Sequence, residues 1–137
     1  RQGPGGTLQS IRYPVLKVLV PIDPGMRKAS LQVLTSYSWS PFADSLSCMF
    51  TADFYFEYTA QGIDKARALS VALPERGIDP SELVAFGDGQ NDIPMLELAG
   101  TGIAMANATD EVKRAADAVT HSNNDDGIAA ALEELLA

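Results

Sequence analysis

Val84-Ala85-Phe86-Gly87-Asp88-Gly89-Gln90-Asn91-Asp92-Ile93-Pro94-Met95-Leu96 decides the fold of this 137-residue chain, because an apolar run there ends in a turn carrying two carboxylates and an amide. Residues 83–86 read as a buried strand, Gly87 and Gly89 permit a tight turn, and Pro94 suits the first turn of a following helix. Asp88 then stands at the carboxyl end of a strand. Asp92 opens or caps the helix, with Asn91 beside it. Open α/β folds bind ligands at this edge of the sheet, and paired carboxylates there attract a hard cation such as Mg2+.

Outward from that stretch the pattern alternates. Ile63, Ala66, Leu69, Ala72 and Leu73 recur at helical spacing, which predicts a helix ending near Arg76 and Gly77 with Lys65 in its first turn. Further helices are expected over 93–99, 110–116 and 127–136, and strands over 102–106 and 118–120; Thr109 and Asp126 stand where the last two helices need N-caps. Strands alternating with helices predict a parallel sheet flanked by helices. Before Gly62 the rhythm differs: a strand over 15–20, a turn over 21–25, a helix over 26–34, a loop-like stretch over 35–44 containing Tyr37, Trp39 and Phe42, and two strands over 45–50 and 53–58. Ordinary packing is the simpler reading for those aromatic residues, Trp39 included.

The pattern G-D-x-x-N-D-x-x-M-L at Gly87 to Leu96 resembles motif IV of the haloacid dehalogenase-like hydrolases. Gly62-Ile63-Asp64-Lys65-Ala66-Arg67-Ala68-Leu69 resembles the motif III segment, with Lys65 at its lysine. Gly102-Ile103-Ala104-Met105-Ala106-Asn107-Ala108 and Asn123-Asn124-Asp125-Asp126-Gly127-Ile128 resemble the closing segments of the Cof-like branch. The resemblance implies an α/β fold with a parallel-sheet, three-layer, Rossmann-like core. Residues 1–60 would be a partial α/β cap with a flexible start, and residues 61–137 the C-terminal half of the core. It further implies a Mg2+-dependent phosphatase acting on small phosphorylated metabolites through an aspartyl-phosphate. In that scheme Lys65 and Asn91 bind the phosphoryl group and Asp88 binds magnesium. Asp92 completes the metal site directly or through water, or mainly orients Lys65.

The family's nucleophile motif, Asp-x-Asp, is missing from these residues: neither Asp23, Asp44, Asp53 nor Asp64 is followed two positions later by another Asp. The motif II Ser or Thr has no match either. With Arg1 at its start, the sequence reads as a fragment or processed product, and the 137 residues are expected to be inactive alone. The alternative is a non-catalytic module that retains a Mg2+ or phosphate pocket. A half core exposes a sheet edge, so the expected partners are a second copy of the chain or a complementary N-terminal half.

Eighteen acidic against ten basic residues give a net charge of −8, which argues against partners built on nucleic-acid phosphates or anionic membranes. No stretch approaches the ~18 consecutive apolar residues of a membrane span. The single cysteine, Cys48, excludes an internal disulfide, reads as a small core residue, and fits a cytoplasmic location. Gly3-Pro4-Gly5-Gly6 reads as a flexible opening. Asp64 is expected to favour its helix dipole, His121 to be a surface loop residue, and residues 123–126 to form a polar turn.

Overall fold

A computed structural model describes residues 14–38, 44–52 and 54–137, and the chain divides into two compact units, Arg1–Gln61 and Gly62–Ala137. In the first, β1 (Lys17–Pro21) is followed by a 3-10 turn at Pro24–Met26, α1 (Arg27–Ser38), β2 (Leu46–Ala52) and β3 (Tyr55–Ala60). The three strands form an antiparallel sheet in the order β1-β3-β2, with Val20 opposite Phe56 and Phe50 opposite Phe56 on the other side. Phe56 is the buried centre of this unit, meeting Phe50 and Tyr58 edge-on at ring separations of 5.0 and 5.2 Å. Such edge-to-face contact matches the positive rim of one ring to the negative face of the other. The Arg27 guanidinium covers Phe50 at 4.3 Å, and the Tyr58 hydroxyl donates to the Leu34 carbonyl at 3.0 Å, so α1 is tied to the sheet at both ends.

The helix runs four residues beyond the loop boundary expected from the serines and aromatic residues after Leu34. Helix propagation needs only backbone bonds once a turn exists, and the Ser36 hydroxyl here donates back to the Val33 carbonyl at 2.7 Å rather than breaking the helix. Trp39 and Phe42 lie outside the described residues.

The second unit contains α2 (Lys65–Glu75), β4 (Val84–Gly87), α3 (Ile93–Leu98), β5 (Thr101–Ala104), α4 (Asp110–Ala115), β6 (Ala118–Val119) and α5 (Gly127–Leu136). Its sheet is parallel, in the order β4-β5-β6, with Gly87 beside Ala104 and Ala104 beside Val119. Successive strand residues face opposite sides, so the burial of both Ile103 and Ala104 requires cover on both faces of β5. On one face Ala85 and Ala104 pack with Leu96 of α3 and Val112 of α4. On the other, Ile103 lines a cavity of about 560 Å3 with Ala131 and Leu135 of α5. Helix, sheet and helix thus make three layers, an α/β core built on parallel strands. β4 forms one edge of this sheet.

Local signals explain the element ends. Asp64 is the N-cap of α2, its carboxylate accepting the Arg67 N–H at 2.7 Å, and Gly77 follows the helix with φ +68°, a conformation that costs a glycine nothing. Thr109 and Asp126 occupy N-cap positions, but neither side chain makes a capping hydrogen bond. Asp126 instead takes a left-handed conformation, φ 52°, and Ser122 does the capping one turn earlier by accepting the Asn124 N–H. Among the described residues no helix is long and apolar enough to cross a membrane.

Candidate functional site

Parallel strands bring their carboxyl ends to one rim, and two polar side chains emerge there. Asp88 follows β4 directly; Asn107 lies in the loop after the adjacent β5. A 3-10 turn at Gln90–Asp92 leads from Asp88 into α3, with Pro94 in the first turn where a missing N–H is harmless. Gln90 of this turn donates to Glu111 of α4 at 2.5 Å, which anchors the turn to the next helix.

Asp92 is the centre of the arrangement and, at 5% exposure, the only buried charged residue among those described. One carboxylate oxygen, Oδ2, accepts the backbone N–H of Asp88 and of Gly89, both at 3.1 Å. The other, Oδ1, accepts the Lys65 ammonium and, at 3.4 Å, the Asn91 amide. Burial alone pushes the Asp92 carboxyl up. The Lys65 hydrogen bond, the Gly89 and Asp88 N–H groups and the Lys65 charge outweigh it and hold the carboxyl below the ordinary value. Lys65 begins α2, so the helix that Asp64 caps delivers its ammonium to the β4 rim, and its side chain stays 53% exposed. An anion at the rim can therefore reach it.

Asp88 is arranged differently. Its Oδ2 accepts the Asn107 amide at 2.9 Å, and among the described residues no donor occupies Oδ1. The rim thus joins Lys65, Asp88, Asn91 and Asp92 in one network, in which Asp92 spends both oxygens on protein donors and Asp88 keeps one open. Among the described residues no three His, Cys, Asp or Glu side chains cluster as a metal cage would require. One open carboxylate oxygen still fits Mg2+, which keeps several waters and takes substrate phosphate oxygens beside one or two carboxylates. His121 is exposed, and Cys48 is half-buried.

Two participants escaped the sequence reading. Asn107 bonds a residue nineteen positions earlier, a contact made by strand adjacency rather than spacing; a polar residue just past the strand beside β4 was the available signal. Gly87 does more than turn the chain: a Cβ there would stand 2.6 Å from the Asp92 Cβ and 3.2 Å from its Oδ2. Gly87→Ala is accordingly expected to push Asp92 off the Asp88 and Gly89 N–H groups and to cost roughly 1–3 kcal/mol, the usual range for overpacking. Urea unfolding monitored by circular dichroism measures it, and an unchanged midpoint contradicts the contact.

The haloacid dehalogenase-like hydrolase family model matches residues 13–132. A phosphoglycolate phosphatase of Methanopyrus kandleri is 46% identical over 83 residues, covering 61% of this chain and 36% of that protein. The crystal structure of a haloacid dehalogenase-like hydrolase from Bacteroides thetaiotaomicron superposes with a TM-score of 0.83 at 36% identity, over 98% of this chain and 49% of that one. The sugar phosphatase BT4131 does so with a TM-score of 0.70 at 29% identity, over 90% and 44%. The chain therefore spans about half or less of the length of these relatives. A family match over nearly all of its residues, on a parallel core whose rim carries the Lys-Asp-Asn-Asp network, makes the chain a member of the haloacid dehalogenase-like hydrolases.

Proposed function

We propose that this chain supplies the phosphate- and magnesium-binding half of a phosphomonoester hydrolase acting on small phosphorylated metabolites. The observation that carries the reading is the division of labour at the rim: an exposed ammonium held by a buried carboxylate, next to a second carboxylate with an open oxygen. A phosphoryl group needs fixed positive charge as its charge redistributes in the transition state. Lys65 provides it, Asn91 adds an amide donor, and Asp92 holds Lys65 in place. Asp88 would hold Mg2+, which when bound offsets charge on the phosphoryl oxygens. Attack on phosphorus, with formation of an aspartyl-phosphate and release of the alcohol, falls to a carboxylate outside these 137 residues. The relatives' names, phosphoglycolate phosphatase and sugar phosphatase, support a small phosphomonoester as substrate. The edge strand β4 is the natural seat for the complementary segment, and a second copy of this chain is the competing occupant.

Hydrolysis of p-nitrophenyl phosphate tests the reading. The 137 residues alone are expected to stay at background. A protein that joins them to an Asp-x-Asp segment is expected to turn over in Mg2+ and to stop in excess chelator. Turnover by the purified isolated chain at a rate indifferent to Asp88→Ala overturns the assignment.

A further inference from the structure

Asn107 sits between two fixed partners. Its side-chain NH2 donates to Asp88 Oδ2 at 2.9 Å, and its side-chain carbonyl accepts the backbone N–H of Asn123 at 3.0 Å. The two bonds dictate the amide's orientation, since the reverse one sets a donor against the Asn123 N–H and an acceptor against a carboxylate. Asn123 is itself held, as the first residue of a 3-10 turn whose N-cap, Ser122, accepts the Asn124 N–H at 3.0 Å. A chain of bonds therefore runs from the turn before α5, through Asn107, to one oxygen of Asp88. It ties down Oδ2 and leaves Oδ1 as the oxygen open to a ligand.

From this geometry we infer that Asn107 is a positioning residue that presents Asp88 to a cation through a single oxygen, and that it thereby tunes the site toward Mg2+ and away from Ca2+. The inference rests on the proposed role of Asp88 as a magnesium ligand and adds to it a determinant of metal choice. Mg2+ demands near-ideal octahedral geometry, whereas Ca2+ accepts larger, flexible shells and often takes both oxygens of a carboxylate. A carboxylate with one oxygen already committed to an amide suits the first cation better than the second. Partners that orient a metal ligand typically change metal affinity by an order of magnitude or more when removed.

The test is direct metal binding by all 137 residues together, with no turnover involved. Mn2+ is the probe, its bound fraction read by electron paramagnetic resonance and displaced with Mg2+ or Ca2+. Asn107→Ala is expected to weaken Mg2+ by about 10–100-fold and to shift the Mg2+/Ca2+ preference toward Ca2+. Asn123→Pro provides a second variant. It removes the N–H that holds Asn107, together with a side-chain carbonyl that accepts the Ser122 hydroxyl at 3.3 Å and does not touch Asn107, at the first position of a helical turn, where proline is tolerated, and after a residue already extended at φ −67°, ψ 158°. It is expected to shift the preference in the same direction by less. Equal loss of both cations in Asn107→Ala marks a merely structural residue and overturns the inference, as does no change in either. Mn2+ binding that is absent from the parent chain, or indifferent to Asp88→Ala, overturns the role of Asp88 and the inference together. Binding that depends on Asp88 but not on Asn107 overturns the inference alone.

Discussion

Lys65→Met, in a protein that joins this chain to an Asp-x-Asp segment, is expected to lower kcat for phosphomonoester hydrolysis by about 10²–10³-fold, the usual cost of removing one preorganised charge-stabilising donor. Methionine keeps the length and helix propensity of lysine and deletes only the charge. The ammonium is half exposed and reaches Asp92 from the first residue of α2, so the helix does not depend on it. Its loss is expected to cost about 1 kcal/mol of stability or less, as for other partly solvated ion pairs. A large fall in kcat with a nearly unchanged melting curve is therefore the signature. Raising Mg2+ should not restore Lys65→Met, whereas Asp88→Ala is expected to regain part of its rate at high Mg2+, because on the proposed reading only the latter removes a metal ligand. A Lys65→Met enzyme with parental kcat would refute the phosphoryl role of this residue.

The residues that were legible in the sequence share a property: their signals are local. Gly87 to Pro94 announces its strand, turn and helix because glycine, proline and acidic residues impose backbone conformations wherever they stand. The helix through Lys65 was visible in the spacing of Ile63, Ala66, Leu69 and Leu73, and the three-layer core in the alternation of elements. What escaped depended on proximity created by folding. Asn107 meets Asp88 because β5 lies beside β4, and nothing in the intervening residues encodes that distance. The extension of α1 through Ser38 was hidden by residues with weak helical preference that a growing helix nevertheless carries. Thr109 and Asp126 had the right types and positions for capping, yet neither side chain caps, and at Asp126 the backbone is left-handed while Ser122 caps the preceding turn.

Asp92 shows the same separation of local identity from folded role. Its spacing from Asp88 suggests either a metal ligand or a support for Lys65, and in the folded chain burial and four donors make it the keystone of the loop. Asp92→Ala is expected to lower unfolding free energy by roughly 1–3 kcal/mol, because it strands the Asp88 and Gly89 N–H groups that now share Oδ2. The pair is thus expected to be asymmetric: on the proposed reading, losing Lys65 disables chemistry and spares the fold, while losing Asp92 harms both. The pH dependence separates the two contributions. A carboxyl whose folded pKa lies below its unfolded value, about 3.9 for Asp, binds protons more weakly when folded, so acid favours unfolding. Its contribution is complete above the unfolded pKa and disappears as pH falls through the depressed folded one. Parent and Asp92→Ala chains should therefore differ most in urea midpoint at neutral pH and converge on acidification below about pH 4. Lys65→Met, by removing two of the influences that depress Asp92, should move that loss to higher pH. A gap between parent and Asp92→Ala that stays constant from pH 7 into acid would show that the carboxylate's charge does not hold the rim together.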